Sequence, residues 1–381
     1  LRVTRRAPGA RTRCIEETTL ERGLTMTNRE RFNRVMQYEP VDRLPLMRFE
    51  PHQVYALERW RTEGLPAEVD PDEYFGICRI VNAPVDLFPI PRIEQAILSE
   101  TDTDYVQVDR FGNVLRRKKD SPLMYCGNIA HPVKTIADWR VYSRHYDPYA
   151  PGRIPENLDA IAAELNACDA PVGICLFPWF FRLGFYALGM EGFLAAFYEQ
   201  PALIHEMFGF WSDLVLHTIR PVLEKVKIDV LYLTEDLAYK NAPHVSPRMY
   251  EQFWLPYQNP IIEECRRHGV ELVCLWTAGN IVPLLPLVMR NGINCTWPLE
   301  RVAGMDPAML RKRFGRELLL AGGISKEALV AGPEAIDREI ESLMPVIRDG
   351  GFIPALDDMP PAEVPLAHFA HMIDALRRIE A

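Results

Sequence analysis

The sequence lacks most of the short signatures that assign a protein to a class at sight. Its eight cysteines, at positions 14, 78, 126, 168, 175, 265, 274 and 295, form no CxxC pair. No disulfide framework or local sulfur-bound zinc site is therefore written in it. Cys175 and Cys274 fall in apolar strand-like runs, and buried reduced thiols of this kind fit a cytoplasmic protein. The nine histidines show no HxH or HExxH spacing, which removes the compact zinc motifs. No apolar run approaches the roughly 20 residues of a membrane span, and candidates such as 172–181 read as buried strands. No GxGxxG follows the first strand, so the usual dinucleotide-binding turn is missing. A net charge of −9 gives no general attraction to nucleic acid or an anionic membrane.

What is present is globular. Hydrophobic residues make up 48% and charged residues 25% of 381 positions, enough for a full core and within the range of a decorated barrel. Residues 1–25 stand apart, because Arg2, Arg5, Arg6, Arg11 and Arg13 precede any acidic residue. That bias resembles an organellar transit peptide. The plainer reading is an extraneous or disordered extension, since Met26 is followed by Thr27 and Glu30, an S/T-x-x-E capping box that opens a helix. Residues 26–381 are read as one domain.

From about residue 165 onward, short branched apolar runs alternate with capped amphipathic stretches. The runs are 171–177, 229–233, 271–275, 293–296, 318–321 and 352–356, and each fits a buried strand. Ser246-Pro247, Asp306-Pro307, Ser325 and Gly332-Pro333 are helix starts. Strands alternating with helices imply parallel pairing through right-handed crossovers. An earlier strand is expected over 44–49, and one more within 80–120. There the text reads as hairpin material around Phe111-Gly112-Asn113. Eight strands close a (β/α)8 TIM barrel, with insertions concentrated near residues 50–165; an open doubly wound sheet is the runner-up.

In such a barrel the chemistry collects where the strands end. The strand ends hold Arg48 and Glu50; Trp179, with Tyr186 following; Glu235 and Asp236, then Tyr239 and Lys240; Trp276 and Asn280; Trp297 and Glu300; and Asp357 with Asp358. Clustered carboxylates in an apolar mouth raise one another's pKa and can act as general acid and base. Glu235-Asp236 interrupts an apolar strand end with no capping pattern in sight, which favours a functional reading over a structural one. Asp306 and Ser325 read as helix caps. Trp276 and Trp297 fit core packing as well as they fit a ligand wall.

These segments carry a family resemblance. Thr234–Val270, with its acidic strand end, Ser-Pro helix start and Phe-x-Leu-Pro-Tyr run, resembles the uroporphyrinogen decarboxylase superfamily. So do Ala278–Asn294, the Gly-Gly-Ile strand of Leu318–Leu329, the closing unit Gly350–Phe369 and the opening Thr27–Pro45. The resemblance spans about residues 27–379. It implies a (β/α)8 barrel enzyme with a deep mouth, and frequently a homodimer. The decarboxylases hold a ring of carboxylates with an arginine-rich loop after the first strand; here Met47-Arg48 matches its start, but Phe49-Glu50-Pro51 follows. Their tyrosine corresponds to Tyr186 with an offset of two residues, their serine falls on Asp236 and their late histidine on Asp358. The zinc-dependent methyltransferases carry His-x-Cys before a glycine, where this chain has Trp276-Thr277-Ala278-Gly279.

The expectation is zinc-independent methyl transfer to a corrinoid carried on a partner protein, with no metal and no tightly bound cofactor on this chain. The alternative is a carboxy-lyase acting on a porphyrinogen-like or other carboxylate substrate, which five mouth acids would repel. A third reading is a non-enzymatic tetrapyrrole- or partner-binding scaffold. In the enzymatic readings Asp236 or Glu235 moves the proton beside Asp358, and Arg48 orients an anionic group. The wall falls to Glu50, Trp179, Tyr186, Tyr239, Lys240, Trp276, Asn280, Trp297, Glu300 and Asp357.

Overall fold

A computed structural model of the chain describes residues 26–119 and 127–380; the extension expected over 1–25 lies outside the described residues. The strands are β1 (Met47–Arg48), β2 (Cys78–Arg79), β3 (Val81–Asn82), β4 (Ala96–Glu100), β5 (Asp104–Val108), β6 (Val114–Lys118), β7 (Gly127–Ala130), β8 (Val172–Leu176), β9 (Val230–Thr234), β10 (Leu272–Trp276), β11 (Cys295–Trp297), β12 (Leu319–Ile324) and β13 (Phe352–Leu356). One parallel ladder runs β3-β8-β9-β10-β11-β12-β13. β2 and β3 are two pieces of one strand line parted at Ile80, and β2 pairs in parallel with β1. β1 in turn lies beside β13, which brings eight strand positions round into a curled α/β barrel. Among the described residues the β13–β1 seam carries no ladder; side chains close it around a cavity of about 40 Å³.

Alternation along each strand sorts the side chains into two sets. Leu272, Cys274 and Trp276 face the interior with Val230, Cys295, Trp297, Ala321 and Ile353, whereas Val273 and Leu275 pack among the helices. The helix Asn28–Met36 plugs the amino end of the barrel with Phe32, Val35 and Met36. Its Thr27–Glu30 capping box is formed, and Arg29 pairs with Asp229 at 2.8 Å.

Four expectations change. The first strand shortens to Met47–Arg48, because Pro45 cannot donate to a ladder. The second strand lies at 78–82, while β4 to β7 form a separate antiparallel sheet whose β5–β6 hairpin turns at Asp109–Asn113. One helix, Phe180–Glu199, is long and apolar enough to span a membrane, contrary to the reading of the runs; 56% of its apolar window is buried inside the fold. Ser246 and Asp306 cap their helices by accepting from Met249 N at 3.2 Å and Met309 N at 2.7 Å. Ser325 does not cap; its hydroxyl donates to Glu327 instead.

Candidate active site

The barrel mouth is built upward from an aromatic floor. Trp297 lies 4.9 Å from the Phe49 ring and 5.5 Å from that of Tyr232, all three inside the strands. Above them Trp276 donates its indole N–H to the Glu50 carboxyl. Glu50 is 8% exposed, and burial pushes its carboxyl up to about 8. The Trp276 N–H and Arg182 pull against that rise, while Asp358 and Asp236 add to it. Near neutral pH Glu50 therefore keeps its proton.

Arg182 organises one side. Its guanidinium lies 4.5 Å from the Trp276 ring centre and 5.4 Å from that of Phe177, and it donates to Asp236 at 3.1 Å. Burial raises Asp236 as well, against the pull of Arg182. Tyr186 stacks on Phe111 with ring centres 4.2 Å apart and planes 8° from parallel. Burial raises its hydroxyl, again against Arg182. On the other side Lys326 donates to Asp358. The assembly is a neutral acid flanked by two ion pairs, over an apolar floor. Such a site can deliver a proton to a bound molecule without carrying the charge that five free carboxylates would impose.

Several residues expected in this mouth stand elsewhere. Glu235 is fully buried and points to the helices, where it accepts from Phe181 N at 2.8 and 3.0 Å, from Arg182 N at 3.3 Å and from the Trp254 indole at 3.1 Å. It caps the helix Phe180–Glu199. Burial pushes it up to about 8 against these three donors and the charge of Arg182. Asp357 accepts from Lys326 N at 2.9 Å and Arg301 N at 3.1 Å, so it too serves helix starts. Arg48 faces outward, holding both oxygens of Asp72 at 2.8 and 2.9 Å. Asp72 also receives His52 at 2.9 Å and Arg79 at 3.2 Å. Burial pushes Asp72 up, but His52 and Arg48 outweigh it and hold the carboxyl below the usual range. Arg48 is thus committed and not free to orient a ligand.

Trp179 is fully buried among the helices, 4.6 Å from Phe180, and forms core, not wall. Glu300 accepts from Gly279 N at 2.6 Å and lies 3.9 Å from Lys326, so it fastens the loop after β10. Gly279 needs its left-handed backbone there (φ 80°), because a Cβ would come within 2.7 Å of the Ala238 carbonyl. Asn280 accepts from Val282 N at 3.1 Å within the same loop. Tyr239 is 50% exposed at the rim and Lys240 is exposed beside it.

Arg182, Phe49 and Tyr232 are mouth residues that the sequence reasoning did not select. Arg182 had a signal: it precedes Tyr186 by four positions at the start of a helix, so the two share a face. Tyr232 had one too, in alternation with Val230 on an inward face. Cys274 and Cys295 stand opposite each other in register inside the barrel, fully buried, where burial and mutual contact push the Cys274 thiol far up. Among the described residues no three His, Cys, Asp or Glu side chains gather in a way that could hold a metal ion.

A family model for uroporphyrinogen decarboxylase (URO-D) matches residues 106–379. The chain is 24% identical over 228 residues to a uroporphyrinogen decarboxylase of Rhodococcus erythropolis, covering 56% of this chain and 58% of that protein. It is 22% identical over 185 residues to the chloroplastic uroporphyrinogen decarboxylase of Zea mays, covering 48% and 44%. The chain thus spans about half the length of the curated relatives it matches. Among solved structures, a methyltransferase from Methanosarcina mazei superposes over 92% of this chain and 98% of its own, with a TM-score of 0.58 and 16% identity. That likeness is one of fold.

Proposed function

The chain belongs to the uroporphyrinogen decarboxylase family, and from that premise we propose that it catalyses zinc-independent methyl transfer, with Glu50 as the general acid. The observation that carries this reading is the protonated Glu50 carboxyl, seated on the Trp276 N–H at the centre of the mouth. When a methyl group leaves oxygen or nitrogen, the electron pair of the broken bond stays on that heteroatom. Glu50 gives its proton to that atom and becomes a carboxylate, which Arg182 stabilises. Asp236 holds Arg182 in place, and Lys326 keeps Asp358 neutralised, so the donor meets little net charge. The floor of Phe49, Tyr232 and Trp297 holds the donor's apolar body.

A corrinoid on a partner protein supplies the nucleophile that takes the methyl group. The rim suits a flat macrocycle, since Tyr239 offers half-exposed aromatic surface there. The zinc route lacks its residues, because Trp276-Thr277-Ala278-Gly279 stands where a His-x-Cys pair would be.

A second reading, decarboxylation of a carboxylate substrate, gains from the same geometry. With Glu50 protonated, Asp236 and Asp358 paired, and Glu235 and Asp357 capping helices, the mouth opposes a carboxylate less than the sequence suggests. Glu50 could then protonate the carbon that loses carbon dioxide. Incubating the purified chain with a reduced corrinoid protein and a panel of aryl methyl ethers and methylamines separates the readings. Demethylated product is expected. Carbon dioxide release from uroporphyrinogen, without demethylation of any donor, would replace the first reading by the second.

A further inference from the structure

We propose that Arg110 is the seat for a carboxylate on the substrate, so that the mouth takes monocarboxylates with an apolar body. Arg110 is exposed on the turn of the β5–β6 hairpin. Its guanidinium lies 4.7 Å from the ring centre of Phe88, 5.3 Å from Phe111 and 5.7 Å from Phe177. Two of those rings belong to the mouth: Phe177 also carries Arg182 at 5.4 Å, and Phe111 is the ring on which Tyr186 stacks. Arg110 is close enough to favour ionisation of the Tyr186 hydroxyl. The antiparallel insert therefore delivers a cation to the aromatic wall that also carries Arg182 and Tyr186.

Among the described residues the Arg110 charge is uncompensated by any ion pair. Its neighbour Asp109 is committed to the hairpin turn, accepting from Phe111 N at 2.8 Å and Asn113 N at 2.9 Å. Arg92, over the same Phe88 ring, is paired with Asp86. Three other cations near the mouth are taken, Arg48 by Asp72, Arg182 by Asp236 and Lys326 by Asp358, while Lys240 stands exposed on the rim beside Tyr239, away from these rings. Among the described residues Arg110 has no carboxylate partner. Aromatic faces fix the plane of a guanidinium, while its exposed edge keeps a fork of N–H donors that matches a carboxylate. The strand-one arginine Arg48 is held half-buried in an ion-pair cluster, which leaves the insert to supply the anion seat. One seat of this kind suits one carboxylate, not a ring of them.

This inference rests on the mouth being the reaction site, as proposed above, but not on which bond breaks there. The test uses the full chain and reads binding, not turnover. Benzoate, benzamide and inorganic phosphate are titrated calorimetrically. Benzoate is expected to bind at least about tenfold more tightly than benzamide, which has its shape without its charge. Arg110→Gln should weaken benzoate about 10- to 100-fold and leave benzamide unchanged, with an unaltered circular dichroism spectrum. Arg110→Lys should recover part of the loss. Equal binding of benzoate and benzamide by the native chain, unchanged benzoate affinity in Arg110→Gln, or full competition by phosphate would each overturn the assignment. A chain that binds benzoate through Arg110 but demethylates nothing would leave this inference standing and remove the methyl-transfer reading.

Discussion

Glu235 ends the run of β9 and Glu50 follows β1, on the same rim of the barrel. They are buried to a similar degree, 0% and 8% exposed, and burial pushes both carboxyls up to about 8. Their partners differ. Glu235 is saturated by two backbone amides and an indole, all on the helical side. Glu50 accepts one indole N–H and otherwise faces Asp236, Asp358 and Arg182. A carboxyl whose oxygens are held by donors on the helical side cannot turn a proton toward a ligand, whatever its pKa. A carboxyl with a single donor and acidic neighbours keeps its proton and can release it. Burial and pKa alone do not separate a cap from an acid catalyst; the number and direction of donors do.

The comparison is broken most directly by making both acids neutral. Glu50→Gln keeps shape and the contact to Trp276, so the fold should survive while kcat falls about 10²- to 10⁴-fold, the usual contribution of a general acid. In the native enzyme kcat should fall as pH rises through about 8, where Glu50 loses its proton, and the variant should lack that limb. Stability carries the same signature. A folded pKa of about 8 against the ordinary 4.5 means that the folded state binds more protons between those values. Stability should then decline as pH rises from about 4.5 to about 8, and Glu50→Gln should flatten the decline by about 2–4 kcal/mol in urea unfolding. A variant with full turnover and an unchanged pH profile would mean that Glu50 is structural.

Glu235→Ala should act on the other quantity. It leaves the Phe181 and Arg182 amides and the Trp254 indole without their acceptor in a dry site, at a cost of about 3 kcal/mol in urea unfolding. Loss of turnover with unchanged stability would place Glu235 with the mouth after all.

The sequence held part of this distinction. Strand alternation puts Leu231 and Leu233 among the helices, and Glu235 continues that face while Asp236 turns inward. Reading Glu235-Asp236 as one acidic unit lost that information. The same rule sends Leu46 and Arg48 outward and Met47 inward. What alternation could not supply is the partner: the Phe181 amide lies 54 residues from Glu235, and Asp72 lies 24 residues from Arg48. Nor could it place Glu50, which is out of register with the interior yet leans back over the mouth once the strand has ended at Arg48. The barrel itself was legible because its strand and helix signals are local. The strand line at 78–82 was not, since its pieces are two residues each and a whole antiparallel sheet follows.

Arg48→Lys sharpens the outward assignment with a smaller effect. Lysine cannot reproduce the two-oxygen contact to Asp72, while Arg79 and His52 still shield that carboxylate. About 1–2 kcal/mol of stability should be lost with KM unchanged, by the usual worth of a charged hydrogen bond. A raised KM at native stability would return Arg48 to the substrate.

The smallest expected effect is at Ser325, and it tests the same principle that partners decide a role. By motif, Ser325 and Ser246 are equal: each is a serine at a helix start. In the fold they are not. Ser246 accepts from Met249 N at 3.2 Å, so Ser246→Ala removes the acceptor of a helix-end amide and should cost about 1 kcal/mol. At Ser325 the first amide of the helix, Lys326 N, already donates to Asp357 at 2.9 Å, and the serine hydroxyl donates to Glu327 in an exposed contact at 2.7 Å. Ser325→Ala therefore leaves every helix-end donor as it was and should cost less than about 0.5 kcal/mol, the range of a surface substitution. Thermal unfolding of the two alanine variants side by side measures the difference. Equal losses would show that Asp357 is not the cap of that helix, and would free its carboxylate for the mouth.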